Sequence, residues 1–71
     1  MRPLTMAAAG ETVTIRRITG RDEVRQRLAE LGFVVDAEVT VVSVNGGNLI
    51  LMVRDSRVAL DSTMANRIMV S

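Results

Sequence analysis

Two apolar runs rich in β-branched residues, Ala37 to Asn45 and Leu49 to Asp55, are joined by Asn45-Gly46-Gly47-Asn48. Glycine and asparagine tolerate the positive φ that a tight reversal demands, so the two runs fold back on each other as a β-hairpin. Within it, Leu49, Ile50, Leu51, Met52 and Val53 are apolar in succession. A strand with one wet face alternates, so this run needs either cover on both faces or an apolar face left open. If Leu49, Leu51 and Val53 face a core, Ile50 and Met52 face outward, as does Met69 when Ile68 and Val70 face inward. Two readings of the outward residues stand at this point. They form an adaptable protein interface, or a β-bulge within Val41 to Val44 or a packing neighbour makes them core.

The remaining chain supplies short elements around that hairpin. Thr12 to Arg16 is β-branched with Val13 and Ile15 in phase and reads as a strand with one wet face. Thr19-Gly20-Arg21-Asp22 has the spacing of a capping box, which predicts a helix from about Arg21 to Leu31. On it Val24, Leu28 and Leu31 share a face, Glu23 and Arg27 form an i, i+4 pair, and Gly32 occupies the C-terminal glycine position. Leu28, Leu31 and Phe33 are expected to hold this helix on the core. Thr5 is expected to cap a turn through Met6 to Ala9 that ends at Gly10. Asp55 and Ser56 form a second reversal into a strand from Arg57 to Leu60, Ser62 caps a turn through Asn66, and Arg67 to Val70 is the last strand. Five short strands with an inserted helix and short helical turns predict a mostly β fold, a small, strongly bent SH3-like barrel spanning residues 1–71 as one domain.

Composition narrows the chemistry. At 71 residues the chain has room for one core, which excludes a multidomain enzyme. Cysteine and histidine are both absent, and with them disulfides, thiol nucleophiles, imidazole bases and the ligands of a zinc or copper site. Asp55 with Asp61, and Asp36 with Glu38, are the available carboxylate pairs; each lies in or beside a turn, where Asp serves the backbone. No catalytic, cofactor or metal site is expected. The net charge is +1, yet Arg16, Arg17, Arg21, Arg25 and Arg27 cluster early while the acidic residues dominate from Asp36 to Asp61, which makes the chain dipolar. Such a cluster suits phosphates, a protein surface or solvent alone. With Phe33 as the single aromatic residue there is no stacking platform, and nucleic acid is not the expected partner. No run of 18 apolar residues is present, so direct membrane insertion is not expected. Met1 to Gly10 is too short in its apolar part for a signal peptide, and the reading is cytosolic.

Gly10, the strand Val13 to Ile18, Gly20, the run Arg25-Gln26-Arg27-Leu28-Ala29-Glu30-Leu31-Gly32-Phe33, then Val58-Ala59-Leu60 and Ala65 to Val70 follow one another in an order and spacing that resembles the FeoA family, ferrous iron transport protein A. The resemblance spans essentially the whole chain. It departs after Phe33, where Val34-Val35-Asp36 replaces a glycine turn, and before the first strand, where Ala8-Ala9 stands for Lys-Pro. The resemblance implies an SH3-like barrel with an inserted helix and a non-catalytic accessory protein. Its implied partner is the membrane ferrous iron transporter, through that transporter's cytosolic GTPase domain, which would place the chain in the cytoplasm at the inner face of the membrane. Similar domains occur at the C-terminus of iron-dependent repressors, which need a helix-turn-helix that these residues lack. On this reading Arg25, Arg27 and Met52 are the partner-binding residues, and self-association through strand edges is an open second mode.

Overall fold

The computed structural model describes residues 1–71. Strand β1 (Arg2–Pro3) leads into a 3-10 turn (Leu4–Met6), β2 (Thr12–Ile18), α1 (Asp22–Glu30), β3 (Glu38–Asn45), β4 (Asn48–Val53), β5 (Ser56–Asp61), α2 (Ser62–Ala65) and β6 (Ile68–Val70). All neighbours are antiparallel, in the order β1-β6-β2-β3-β4-β5. The sequence reading of about five strands omitted β1. Its two residues carry no periodicity, and only pairing with Val70 and Met69 makes them a strand.

The sheet coils because β2 belongs to both of its halves. Thr12 to Thr14 pair with β3, whereas Ile15 to Ile18 pair with β6, with a register shift between Ile15 and Arg17. A bulge of this kind bends the strand and tightens its twist. Fifteen apolar residues fill the interior and no polar side chain is buried there; Leu4, Ile15, Leu28, Phe33 and Leu51 are among those wholly out of solvent.

The hairpin forms as the sequence requires. Asn45 pairs with Asn48, leaving Gly46 and Gly47 as the turn, with Gly46 at φ 56°. A register shift between Val41 and Ser43 puts the bulge inside the anticipated segment. Leu49, Leu51 and Val53 are buried, while Ile50 and Met52 lie on the outer face and are only half-buried. The next reversal is one residue earlier than expected: Val53 pairs with Ser56, and Arg54 and Asp55 form the turn at φ 51° and 61°. Neither is glycine, which hid the turn's exact position from sequence.

Helix α1 ends as its glycine predicts. The Gly32 N–H donates to the Ala29 carbonyl at 3.0 Å and the Phe33 N–H to the Leu28 carbonyl at 2.9 Å, with Gly32 at φ 106°. This Schellman closure swings Phe33 into the core. Asp36 then takes φ 75° in the Val34–Ala37 turn, so an aspartate holds the conformation that glycine would hold more easily.

Several local expectations are corrected. Thr19 does not cap α1: its N–H and hydroxyl both donate to the Arg67 carbonyl, at 2.8 and 3.3 Å, which extends the β2–β6 edge instead. Arg21 is the N-cap without a side-chain bond, and Asp22 and Glu23 in the first turn complement the helix dipole. Asp61, not Ser62, caps α2 by accepting the Met64 N–H at 2.8 Å. The first turn starts at Leu4 rather than after Thr5, because burying Leu4 and Ala7 outweighs the cap; the Thr5 hydroxyl donates to Asn66 Oδ1 instead. The Glu23–Arg27 ion pair does not form, and Arg25 meets Asp22 at 3.5 Å. Leu31 is not core: 39% of it is exposed.

Candidate functional site

Helix α1 is pinned to the barrel at one completely buried residue, Leu28, and by its Schellman end, with Val24 partly buried beside it. A nine-residue helix attached so narrowly leaves a gap along its flank. A groove of about 450 Å³ runs between α1 and the β5–α2 segment. Glu23, Val24, Arg27 and Leu31 form the helical wall; Ala59, Leu60, Asp61 and Met64 form the other. Its lining is apolar apart from Glu23, Arg27 and Asp61. Leu31 stands at the C-cap of α1, one residue before the chain turns away at Gly32, and lines this groove instead of joining Leu28 in the core.

The electrostatics of the rim are simple. The Asp61 carboxylate is engaged by the Met64 amide. Arg27 and Glu23 make no ion pair within the chain. An exposed guanidinium beside an exposed leucine can bind by desolvating the apolar side chain and pairing the charge at its margin.

Of the three partner-binding residues expected from sequence, only Arg27 lines this groove. Arg25 lies on α1 against Asp22, and Met52 lies on the outer face of β4, paired with Arg57 on one side and Thr40 on the other. The arginine cluster spreads over two elements. Arg16 and Arg17 are on β2, where Arg16 Nε donates to Ser71 Oγ at 2.7 Å and its guanidinium lies 3.6 Å from Asp36, whereas Arg25 and Arg27 are on α1. Asp55 and Asp61 stand at opposite ends of the β5 hairpin arm, in the turn and at the strand's last residue. Sequence reasoning missed Leu31, Ala59 and Met64. The signal for them was weak: an apolar residue abutting the helix-ending glycine, and a methionine in a helix too short to show periodicity.

Two other polar features lie away from the groove. A depression of about 480 Å³ between the 3-10 turn and α2 is lined by Thr5, Ser62, Thr63, Asn66 and Arg67. At the N-terminal corner, Glu11 accepts the Ala8 N–H at 3.0 Å and pairs with Arg2. The Ala8 amide first, then the Arg2 guanidinium, hold the Glu11 carboxyl below its ordinary pKa.

Residues 2–71 match the FeoA domain. A relative from Methanocaldococcus jannaschii, which carries the provisional name Fe(2+) transport protein A, is 30% identical over 70 residues, covering 99% of this chain and 85% of that protein. Among solved structures, an iron uptake regulatory protein, FeoA, superposes with a TM-score of 0.91 at 28% identity, covering 99% of this chain and 93% of that one. The zinc complex of Stenotrophomonas maltophilia FeoA, described as a procaryotic SH3 domain protein, gives 0.87 at 28% identity and covers 100% of this chain and 91% of its own. The fold is therefore SH3-like. A manganese-dependent transcriptional repressor also matches, with a TM-score of 0.89 at 25% identity, over 97% of this chain but only 40% of the repressor.

Proposed function

Because this chain belongs to the FeoA family of ferrous iron transport, we propose that it is a non-catalytic cytoplasmic accessory protein that docks on the cytosolic GTPase part of a membrane ferrous iron transporter and modulates transport. One observation carries the docking face: Leu31 is left 39% exposed beside Arg27 on a groove whose lining is otherwise mainly apolar. With Val24, Ala59, Leu60 and Met64, Leu31 forms a contiguous apolar lining, and an apolar patch of that kind rimmed by charged residues marks a contact surface. Arg27 supplies orientation and on-rate, and burial of Leu31 supplies lifetime. Arg25 and Met52 are further contacts of the same partner.

Calorimetric titration with the purified cytosolic GTPase part of the transporter from the same organism tests this. Binding by the intact chain, lost in Arg27→Glu and weakened in Arg25→Glu and Met52→Ala, is the expected result. No binding by the intact, folded chain overturns the reading. Binding that all three variants retain moves the interface elsewhere.

A further inference from the structure

We propose that the α1–β5 groove binds an extended segment of the partner, which joins the sheet as an added strand along the free edge of β5. This deepens the docking reading above and rests on it.

Three features of the groove lead there. First, β5 ends the strand order and pairs only with β4. Val53 and Ser56 flank a two-residue turn, and the Ser62 N–H donates to the Gly47 carbonyl at 2.8 Å at the other end, so the two fixed points set the same phase of the ladder. In an antiparallel pair the bonded residues alternate. The N–H and C=O of Arg57 and Ala59 therefore point away from β4, and neither residue finds another backbone or side-chain partner. Second, Ala59, Leu60 and Asp61 are consecutive, their side chains alternate between the two faces of the sheet, and yet all three line one groove. A groove that lies along the last part of the strand's edge meets all three, so the unpaired main-chain groups of Ala59 open into it, while those of Arg57 lie farther along the same edge, outside its lining. Third, the opposite wall is α1, whose Val24 and Leu31 face the strand across the gap. This wall decides the occupant. A second copy would have to bring its own β5 with β4 and α1 attached past the α1 wall of this groove, whereas a lone extended segment brings a single strand. Main-chain bonds to the edge would give such a segment affinity, and apolar side chains at alternate positions would fill the space over Leu31, Leu60 and Met64. Arg27, which has no carboxylate partner in the chain, stands among Glu23 and Asp61 in the lining, so the groove offers a segment charges of both signs.

Position 59 separates this mode from ordinary surface contact. Ala59→Pro removes only an outward N–H, a change that edge strands tolerate, whereas Ala59→Gly keeps it. With the cytosolic GTPase part of the transporter as probe, Ala59→Pro should weaken binding about tenfold or more and Ala59→Gly less than about threefold. Melting curves establish that each variant is folded. If Ala59→Pro is not folded, amide exchange on the intact chain replaces it: the probe should slow exchange at Arg57 and Ala59. A folded Ala59→Pro that binds as well as the intact chain, or unchanged exchange at both amides, overturns strand addition while leaving docking intact. A dimer of the intact chain in sedimentation that Ala59→Pro dissociates also overturns it, in favour of a second copy. Failure of the intact chain to bind the probe removes the docking reading and this inference together.

Discussion

Leu28 and Leu31 lie three residues apart on one short helix and have opposite fates, one sealed in the barrel and the other open to the groove. The barrel interior is closed by the paired strands and the short helices laid against them and holds apolar residues alone, whereas the groove is closed on one side by the free edge of β5, where the main-chain groups of Ala59 lack partners. The difference shows how a chain of this size divides its apolar residues. The core draws on the ladder and on the elements laid against it, Leu4, Leu28, Phe33 and Ala65 among them, whereas the apolar side chains left at the groove sit at a C-cap, on an edge strand and in a four-residue helix.

The largest effect expected from this contrast is Leu28→Ala. Truncating a fully buried leucine costs about 2–5 kcal/mol, a large share of the stability of any small domain, and chemical denaturation should show it. A loss under 1 kcal/mol, roughly the level of a partly exposed site, would put Leu28 outside the core. Asp61→Ala comes next at about 1 kcal/mol, since it removes the bond that caps α2 beneath the groove. Asp61→Asn keeps an acceptor for the Met64 amide and should recover most of that loss, which separates the cap from the charge. Leu31→Ala should change stability by no more than about 0.5 kcal/mol and yet weaken partner binding, the reverse of the Leu28 pattern. The smallest effect belongs to the N-terminal corner, outside both regions. The pKa of Glu11 is lowered in the fold, so its contribution is present above the ordinary carboxylate range and is lost as pH falls through the folded value. The melting temperature of the intact chain should therefore exceed that of Glu11→Gln near neutrality and converge on it in acid. A gap that persists at low pH would mean that charge is not its source.

The hairpin, the helix end at Gly32 and the inward alternation of β4 were legible because each depends on residues close in sequence. The next reversal was legible at Asp55 but one residue out of place, since nothing in Arg54 advertises positive φ and the pairing of β4 with β5 imposes it. Thr19 carried a cap signal, but tertiary pairing with Arg67 claimed its hydroxyl. The site was legible only at Arg27. Leu31 read as core because periodicity places it on the face of Leu28 and does not register that the barrel leaves a groove beside that end of the helix. Ala59 and Met64 join the groove through the third dimension alone.

The most direct test of the division between barrel and groove is an amide chemical-shift map of the intact chain with and without the transporter's cytosolic GTPase part. The account predicts changes concentrated at Val24, Arg27, Leu31, Ala59 and Met64, with Ile15, Val41 and Leu51 of the interior unmoved. Changes centred instead on the polar depression at Thr5, Asn66 and Arg67, with the groove silent, would contradict it.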